Sequence, residues 1–422
     1  MSMKALSTRY LNIEHTEQAA WFLVWFSLPV SLKMNSASLI LVSVVILVSF
    51  AGRPFIPQYR KLWYLSLPVV FFLWHAKELL IVQPIGPVWK ETEQMLSFLV
   101  IPILFLLSRT DQKTFTKVAL SGLTSALVIC GTIMLAAATS RFIQSGSFGE
   151  YTYHALAKPF HSGAIYFSFY ILFILFKLDD PDWLIHRPEV KVVLAFFLMS
   201  MLLLLASKMM IGIGLPLLGW HYRRMGIALW RTQRKWMVAL ILLVLFGTLP
   251  FMKRVQNIFH PQLEMVGSVN FKNCPEPNGL NLRLILWRFG IEIMEEQNAW
   301  LRGVGMSQSR HFLNGKIRQY GLYTGTPDGR DTGYLNYNYH DQFVETLVRV
   351  GIPGLVVLML ILFTFAFHPG NKHFVPPLFI WIILGFFLSE SVLGRQSGVV
   401  FFCLLYAADM IDKRQSITNE NP

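Results

Sequence analysis

Charge is scarce in this sequence. Of its 422 residues 14% are Asp, Glu, Lys or Arg, while 54% are hydrophobic and the mean hydropathy is +0.47. Soluble domains carry about 25% charged residues, and a water-soluble chain of this size cannot hide so much apolar surface in one core. Cysteine is equally sparse. Cys130 and Cys403 lie in apolar stretches and Cys274 is alone in a polar one, so a disulfide framework is excluded and no bridge is expected. Several chemical signatures are missing too: no Walker loop, no Gly-x-Gly-x-x-Gly, no His-Glu-x-x-His and no zinc spacing. Asp179, Asp180 and Asp182 form an acidic group that reads as solvated charge, so no metal and no cofactor is assigned.

What is present is apolar sequence from end to end. Spans are expected near 18–33, 36–50, 62–76, 95–108, 117–138, 163–178, 191–207, 209–221, 236–251, 352–367, 374–389 and 397–412. This predicts an all-α polytopic membrane protein with about twelve transmembrane helices. The spans on either side of Ser207-Lys208 touch and can also be read as one broken unit. Three regions follow: 1–251 with about nine spans, a polar loop 252–343, and 344–422 with about three spans and a short tail.

The net charge of +13 resembles a nucleic-acid signature until its distribution is considered. Lys and Arg fall in short runs between apolar segments, where topology and anionic headgroups account for them. No nucleic-acid partner is therefore expected, and membrane lipid is. About nineteen basic residues fall on the side of the termini and about seven in the short loops opposite, which puts both termini in the cytoplasm. The opening Met-Ser-Met-Lys stretch lacks a cleavage-site pattern, so the first apolar run is expected to be retained. The loop 252–343 then faces outward, and a loop this long is usually functional.

Several constellations could carry chemistry. In 334–354, Phe343, Val344, Leu347, Val348 and Val350 have helical spacing. Asn338 is expected as N-cap with Asp341 at the third helical position. His340 then sits in the first turn, where a neutral imidazole is favoured; this suits a general base, and equally a capping histidine. On the 281–294 helix, Arg283, Trp287 and Gly290 share a stripe while Arg288 points elsewhere. Arg283 suits phosphate oxygens, or is a snorkelling arginine. Lys208 lies between apolar runs at the level of the large loop, as a buried functional charge or a turn marker. Glu390 and Arg395 flank a tight turn and are expected to pair with each other, or to meet a ligand. Arg141, His154, Lys158 and His161 form a further group in 139–162.

Together these patches resemble the bacterial O-antigen ligase and O-antigen polymerase superfamily, most closely the ligases. The resemblance rests on His340-Asp341-Gln342 followed by Gly351 and Gly354, on Leu282-Arg283-Leu284 with Trp287, and on Leu301-Arg302-Gly303-Val304-Gly305. Ser207-Lys208 and the turn from Glu390 to Gly398 add to it. It implies a GT-C-like, metal-independent, inverting glycosyltransferase of the inner membrane, with a helix-containing periplasmic loop. Such an enzyme moves a glycan from undecaprenyl diphosphate to the lipid A core. The resemblance maps the catalytic histidine onto His340 and diphosphate-binding cations onto Arg283 and Lys208. Asp341, Arg288, Arg395, Glu390 and His161 are supporting candidates. Two positions depart from the family pattern: Lys208 stands where Arg is usual, and Asp341, a neighbour able to raise the basicity of His340, stands where Asn is usual. A polymerase or a protein O-oligosaccharyltransferase of the same superfamily is the nearest alternative. A transporter of a lipid-linked or anionic solute is the alternative from another class, but it would place basic groups at mid-membrane depth and show interrupted helix pairs.

Overall fold

The computed structural model describes residues 3–50, 63–81, 85–108, 110–160, 163–205, 207–223, 263–272, 274–367 and 374–419. Among these the regular elements are all helical. In chain order they are α1 (Met3–Val30), α2 (Leu32–Phe50), α3 (Trp63–Ala76), α4 (Ile85–Met95), α5 (Ser97–Leu107), α6 (Gln112–Ser145), α7 (Tyr153–Ala157), α8 (Gly163–Phe176), α9 (Pro188–Leu205) and α10 (Lys208–His221). After them come α11 (Gly279–Glu296), α12 (Met306–Gln319), α13 (Gln342–Phe367), α14 (Phe379–Ser389) and α15 (Gln396–Asn419). The span expected at 236–251 lies outside the described residues.

Among the described residues four helices, α2, α6, α9 and α13, are long and apolar enough to cross a membrane; α8, α14 and the first part of α15 are apolar but shorter. The expected break at Ser207-Lys208 is present, and α9 and α10 are separate helices. Apolar side chains such as Ile40, Val193, Phe363 and Trp381 point outward, the arrangement lipid tails favour.

Two apolar cores are present. The larger gathers residues of α1–α10 and α13–α15. At its centre Trp25 meets Phe115, Phe173, Phe374 and Phe401, with ring centroids 5.9–6.3 Å apart. Some polar groups inside it are satisfied locally, as a low-dielectric interior favours. Asn35 donates to the Val24 carbonyl and Ser27 Oγ, both at 3.1 Å, and Asp409 accepts from the Val375 N–H at 3.1 Å. The acidic group at 179–182 is paired: Asp179 with His221, Asp180 with Lys177, Asp182 with Lys113. The smaller core belongs to the polar segment, where α11 and α12 pack through Ile285, Phe289, Ile293, Leu313 and Ile317, with Tyr339 and Val348.

α13 joins the two cores, and Gly351 divides it. At φ +75°, ψ −176° this residue adopts a backbone open essentially to glycine alone. Before it, Val344, Leu347 and Val348 pack into the smaller core; after it, Leu358, Ile361 and Leu362 pack into the larger. The 299–305 turn lies across the break. Val304 N–H donates to the Val348 carbonyl at 2.8 Å, Gly305 N–H to Arg349 at 3.1 Å, and Ile352 N–H to Trp300 at 2.8 Å. The glycines of the Leu301–Gly305 run and of 351 therefore serve one close crossing: a Cβ at Gly351 would lie 2.6 Å from the Leu301 carbonyl carbon, and one at Gly303 would lie 2.3 Å from the Arg349 oxygen.

Gly351→Ala should therefore cost about 2–5 kcal/mol through backbone strain and overpacking. Gly315→Ala, inside α12 with open space around it, should raise stability slightly, by up to about 1 kcal/mol. Thermal unfolding of both variants in detergent checks this; equal midpoints would show that the crossing at Gly351 is not tight.

Candidate functional site

The site forms where the end of the polar segment meets the turn between α14 and α15. α11 starts at an Asn278 cap, whose Oδ1 accepts from Leu280 and Asn281 N–H at 3.0 and 2.9 Å. One turn on, Arg283 donates from Nε to the Ser389 carbonyl (3.1 Å), from one terminal nitrogen to the Gly279 carbonyl (2.9 Å), and from the other to Glu390 Oε1 (3.2 Å). The second oxygen of Glu390, Oε2, lies 3.0 Å from His340 Nδ1. One carboxylate thus joins the two residues singled out by sequence, which are 57 positions apart along the chain.

Glu390 is 19% exposed at its side chain. Burial pushes its carboxyl up, but the bond to His340 and the charges of His340 and Arg283 outweigh it and hold Glu390 below the ordinary glutamate range. An ionised carboxylate can only accept, so Nδ1 carries the proton. In the neutral imidazole this leaves the lone pair on Nε2, which has no partner among the described residues. This is the geometry of a base held in one tautomer by an acid partner.

His340 differs from the sequence expectation in one respect. α13 begins at Gln342, so His340 precedes the helix instead of standing in its first turn. Its φ is +47°, a left-handed backbone uncommon for a side-chain-bearing residue. Asn338 does not cap the helix; its side chain accepts from His340 N–H at 3.0 Å and closes a turn. Asp341 is the cap, accepting from Val344 N–H at 2.7 Å. Asn338 fails as cap because the turn it closes holds the histidine away from helical geometry. Asp341 is likewise spent on the helix end and does not support His340; Glu390 fills that place. Burial raises the Asp341 carboxyl to about 6.

The expected Glu390–Arg395 pair does not form. Glu390 faces His340 and Arg283, while the Arg395 guanidinium sits over the Tyr166 ring at 5.8 Å. Extended backbone at Glu390, followed by the 3-10 turn Val392–Gly394, turns the two side chains apart. Arg395 stays near the site: burial lowers His154, and the charge of Arg395 lowers it further against the opposing pull of Glu390. Arg288 is committed elsewhere, to Glu292 at 2.6 Å and to the Val266 and Ser268 carbonyls, as its separate stripe implies. Arg141 is held by Glu150 and the Ala155 carbonyl, each at 2.7 Å. His161 lies outside the described residues. Lys208 opens α10 with an exposed side chain. The adjacent Met209 approaches Gly385, which places the start of α10 against the last turns of α14, the helix that delivers Glu390.

Sequence reading missed Glu345, Arg349 and Glu91, which help to hold this arrangement, while Gln342 and Trp287 were singled out without this role. Glu345 Oε2 accepts from Tyr339 N–H and from Ser391 Oγ, both at 3.1 Å, and so ties the residue before His340 to the residue after Glu390. Its Oε1 pairs with Arg349 at 2.5 Å, and Arg349 pairs with Glu91 at 3.2 Å. Gln342 Oε1 accepts from Leu393 N–H at 2.6 Å. Trp287 Nε1 donates to the Tyr339 carbonyl at 3.0 Å. The available signal was a Glu and an Arg four apart, at 345 and 349, on a helix that is otherwise apolar.

Residues 192–359 match the O-antigen ligase family. Members of that family are glycosyltransferase-like enzymes, ligases or polymerases. The O-antigen ligase match runs from α9 to the second half of α13 and contains Lys208, Arg283, His340 and the Gly351 crossing, whereas Glu390 and Arg395 lie beyond it. No curated protein matches the chain. Among the described residues no group of three or more His, Cys, Asp or Glu is disposed to hold a metal ion.

Asp341 yields a test of pH dependence. The folded chain binds its proton more tightly than the unfolded chain, whose reference value is 3.8. Its contribution to stability is full below that value and is lost as pH rises through about 6. Asp341→Asn keeps an acceptor for Val344 without the buried charge. It should match the wild type near pH 4 and exceed it at pH 8 by on the order of 2 kcal/mol. Unfolding midpoints at the two pH values decide; a variant less stable at pH 8 would overturn the assignment.

Proposed function

We propose that the chain is an O-antigen ligase. It transfers a glycan from undecaprenyl diphosphate to a hydroxyl of the lipid A core, at the periplasmic face of the inner membrane, with both termini cytoplasmic. The observation that carries the reading is the Arg283–Glu390–His340 arrangement inside a chain that matches the O-antigen ligase family. His340 Nε2 takes the proton of the acceptor hydroxyl as its oxygen attacks the anomeric carbon. Glu390 keeps Nδ1–H in place and stabilises the imidazolium that forms. The bond from the anomeric carbon to the diphosphate oxygen breaks in the same displacement, so the anomeric configuration inverts. The departing diphosphate needs cations: Lys208, Arg395 and the donors left to Arg283. A guanidinium has five N–H donors, and three serve Glu390, Ser389 and Gly279. No step in this scheme requires a metal.

The test is transfer by the purified protein in detergent, with a lipid-linked glycan and separate candidate acceptors. His340→Ala and Glu390→Gln should insert normally and lose about 10²–10⁴-fold in rate. Arg283→Lys should recover only part of what Arg283→Ala loses, because the fork is gone. Lys208→Arg should be tolerated. Near-normal transfer by His340→Ala would end this mechanism. Elongation of the lipid-linked glycan itself, in place of transfer to core, would identify a polymerase.

Activity should also survive EDTA, since cationic side chains are assigned the charge of the leaving group. Loss of transfer with EDTA, restored by magnesium or manganese, would contradict that assignment.

A further inference from the structure

A cavity of about 520 Å³ opens in the polar segment, away from His340, and is lined by Phe271, Lys272, Glu276, Arg318, Tyr323 and Tyr334 among others. Its floor is rigid: Phe271 and Leu322 belong to the smaller core, and Phe271 N–H donates to the Tyr320 carbonyl at 2.8 Å. Its wall is a tight reversal of the chain. Tyr334 N–H donates to the Tyr323 carbonyl at 2.9 Å, and Thr326 N–H to Asp331 at 3.0 Å. Gly333 sits at φ +55°, where a Cβ would lie 2.4 Å from the Tyr323 oxygen. The Tyr323 hydroxyl is tied back to Asp331 at 2.9 Å. The Tyr323 ring is therefore anchored by its backbone and by its hydroxyl before any ligand arrives.

The charged groups of the cavity are uncommitted. Among the described residues, the side chains of Lys272, Arg318 and Glu276 form no ion pair, whereas Lys316 and Arg288 of the same segment do. The tyrosines continue toward the site as a series. Ring centroids step from Tyr323 to Tyr334 over 6.5 Å, from Tyr334 to Tyr337 over 5.5 Å, and from Tyr337 to His340 over 5.4 Å. Fixed aromatic faces suit the polarised C–H faces of sugar rings. A carboxylate accepts from sugar hydroxyls, and two cations bind phosphate or carboxylate substituents.

We infer that this cavity is a binding subsite for an oligosaccharide bearing acidic groups, connected to His340 by the Tyr334–Tyr337 track. The inference rests on the glycan-transfer reading of His340 and adds where the sugar chain lies. The oligosaccharide would be part of the acceptor core or part of the donor glycan; the chemistry of the cavity is the same for both.

The test measures binding to the purified full-length protein in detergent by saturation-transfer NMR. Two probes are used: core oligosaccharide freed from lipid A by mild acid, and repeat-unit oligosaccharide freed from its diphosphate carrier. Tyr323→Ala and Arg318→Ala, both at exposed positions, should each weaken binding about tenfold, the effect of one charge-assisted contact or its stacking equivalent. Tyr323→Phe should bind far better than Tyr323→Ala, because the ring face remains although its tie to Asp331 is lost. Core binding with this pattern makes the cavity an acceptor subsite; repeat-unit binding makes it a donor subsite. Binding of neither probe, or binding indifferent to both alanine variants, overturns the inference. His340→Ala should keep full binding while losing transfer. If it transfers normally and the cavity variants still lose binding, the catalytic reading fails and the subsite stands.

Discussion

A carboxylate removed from water must be matched by positive charge or hydrogen-bond donors, and Glu390 is matched on both oxygens. Arg283 reaches it from α11 and His340 from the chain just before α13, so three segments distant in sequence converge on one group. The costs are asymmetric: a buried charge is tolerable while paired and expensive once a partner is removed. Each member therefore holds the other two. The polar segment cannot drift from the α14–α15 turn without breaking the Glu390 pairs, and the left-handed backbone at His340 persists because its neighbours fix it from both sides.

A second polar set sits one layer below and links the same segment to the helices of the larger core. Glu345 and Arg349 lie one turn apart on α13, and Glu91 reaches Arg349 from α4. Glu78, just after α3, accepts the Met306 N–H with both oxygens, at 2.9 and 2.8 Å, at the start of α12. Burial pushes the Glu78 carboxyl up, against the pull of that bond. The break at Gly351 makes this set possible. Without it α13 would run straight, and the Arg349 carbonyl would not be free to receive the Gly305 N–H. The glycines at 303, 305 and 351 and the charges at 345 and 349 are two halves of one joint, the first allowing close approach and the second holding it.

Much of the fold was legible in the sequence because hydropathy is additive and local. The helices at 63–76, 163–176 and 208–221 fall within a residue or two of the apolar runs that announce them. The site was legible only as a set of parts. His340 and Arg283 stand out by residue type, but their shared partner was assigned by nearness in sequence to Arg395, five residues on. The contacts that form cross 50 and 107 residues, and no periodicity encodes them. The same bias gave Asp341 to His340, although adjacent side chains on a turn point apart. Glu345 and Arg349 were hidden because polar residues at helical spacing ordinarily face water, and their burial depends on α4, which is remote in sequence.

The arrangement also limits how cations can be used in the proposed reaction. Arg283 commits three of its nitrogens to protein, two to backbone carbonyls and one to Glu390. A guanidinium so anchored cannot swing toward a phosphate as a lysine on a free stem can; it contributes a fixed field and its remaining donors. Fixed charge lowers a barrier only where negative charge grows during the reaction. Arg283 therefore assists a leaving diphosphate to the extent that the diphosphate comes to it. Arg395 stands exposed beside Tyr166, outside the Glu390 set. In the proposed reaction Arg283 thus sets the geometry of the base and its carboxylate, and the charge of the departing lipid headgroup falls to cations outside that set.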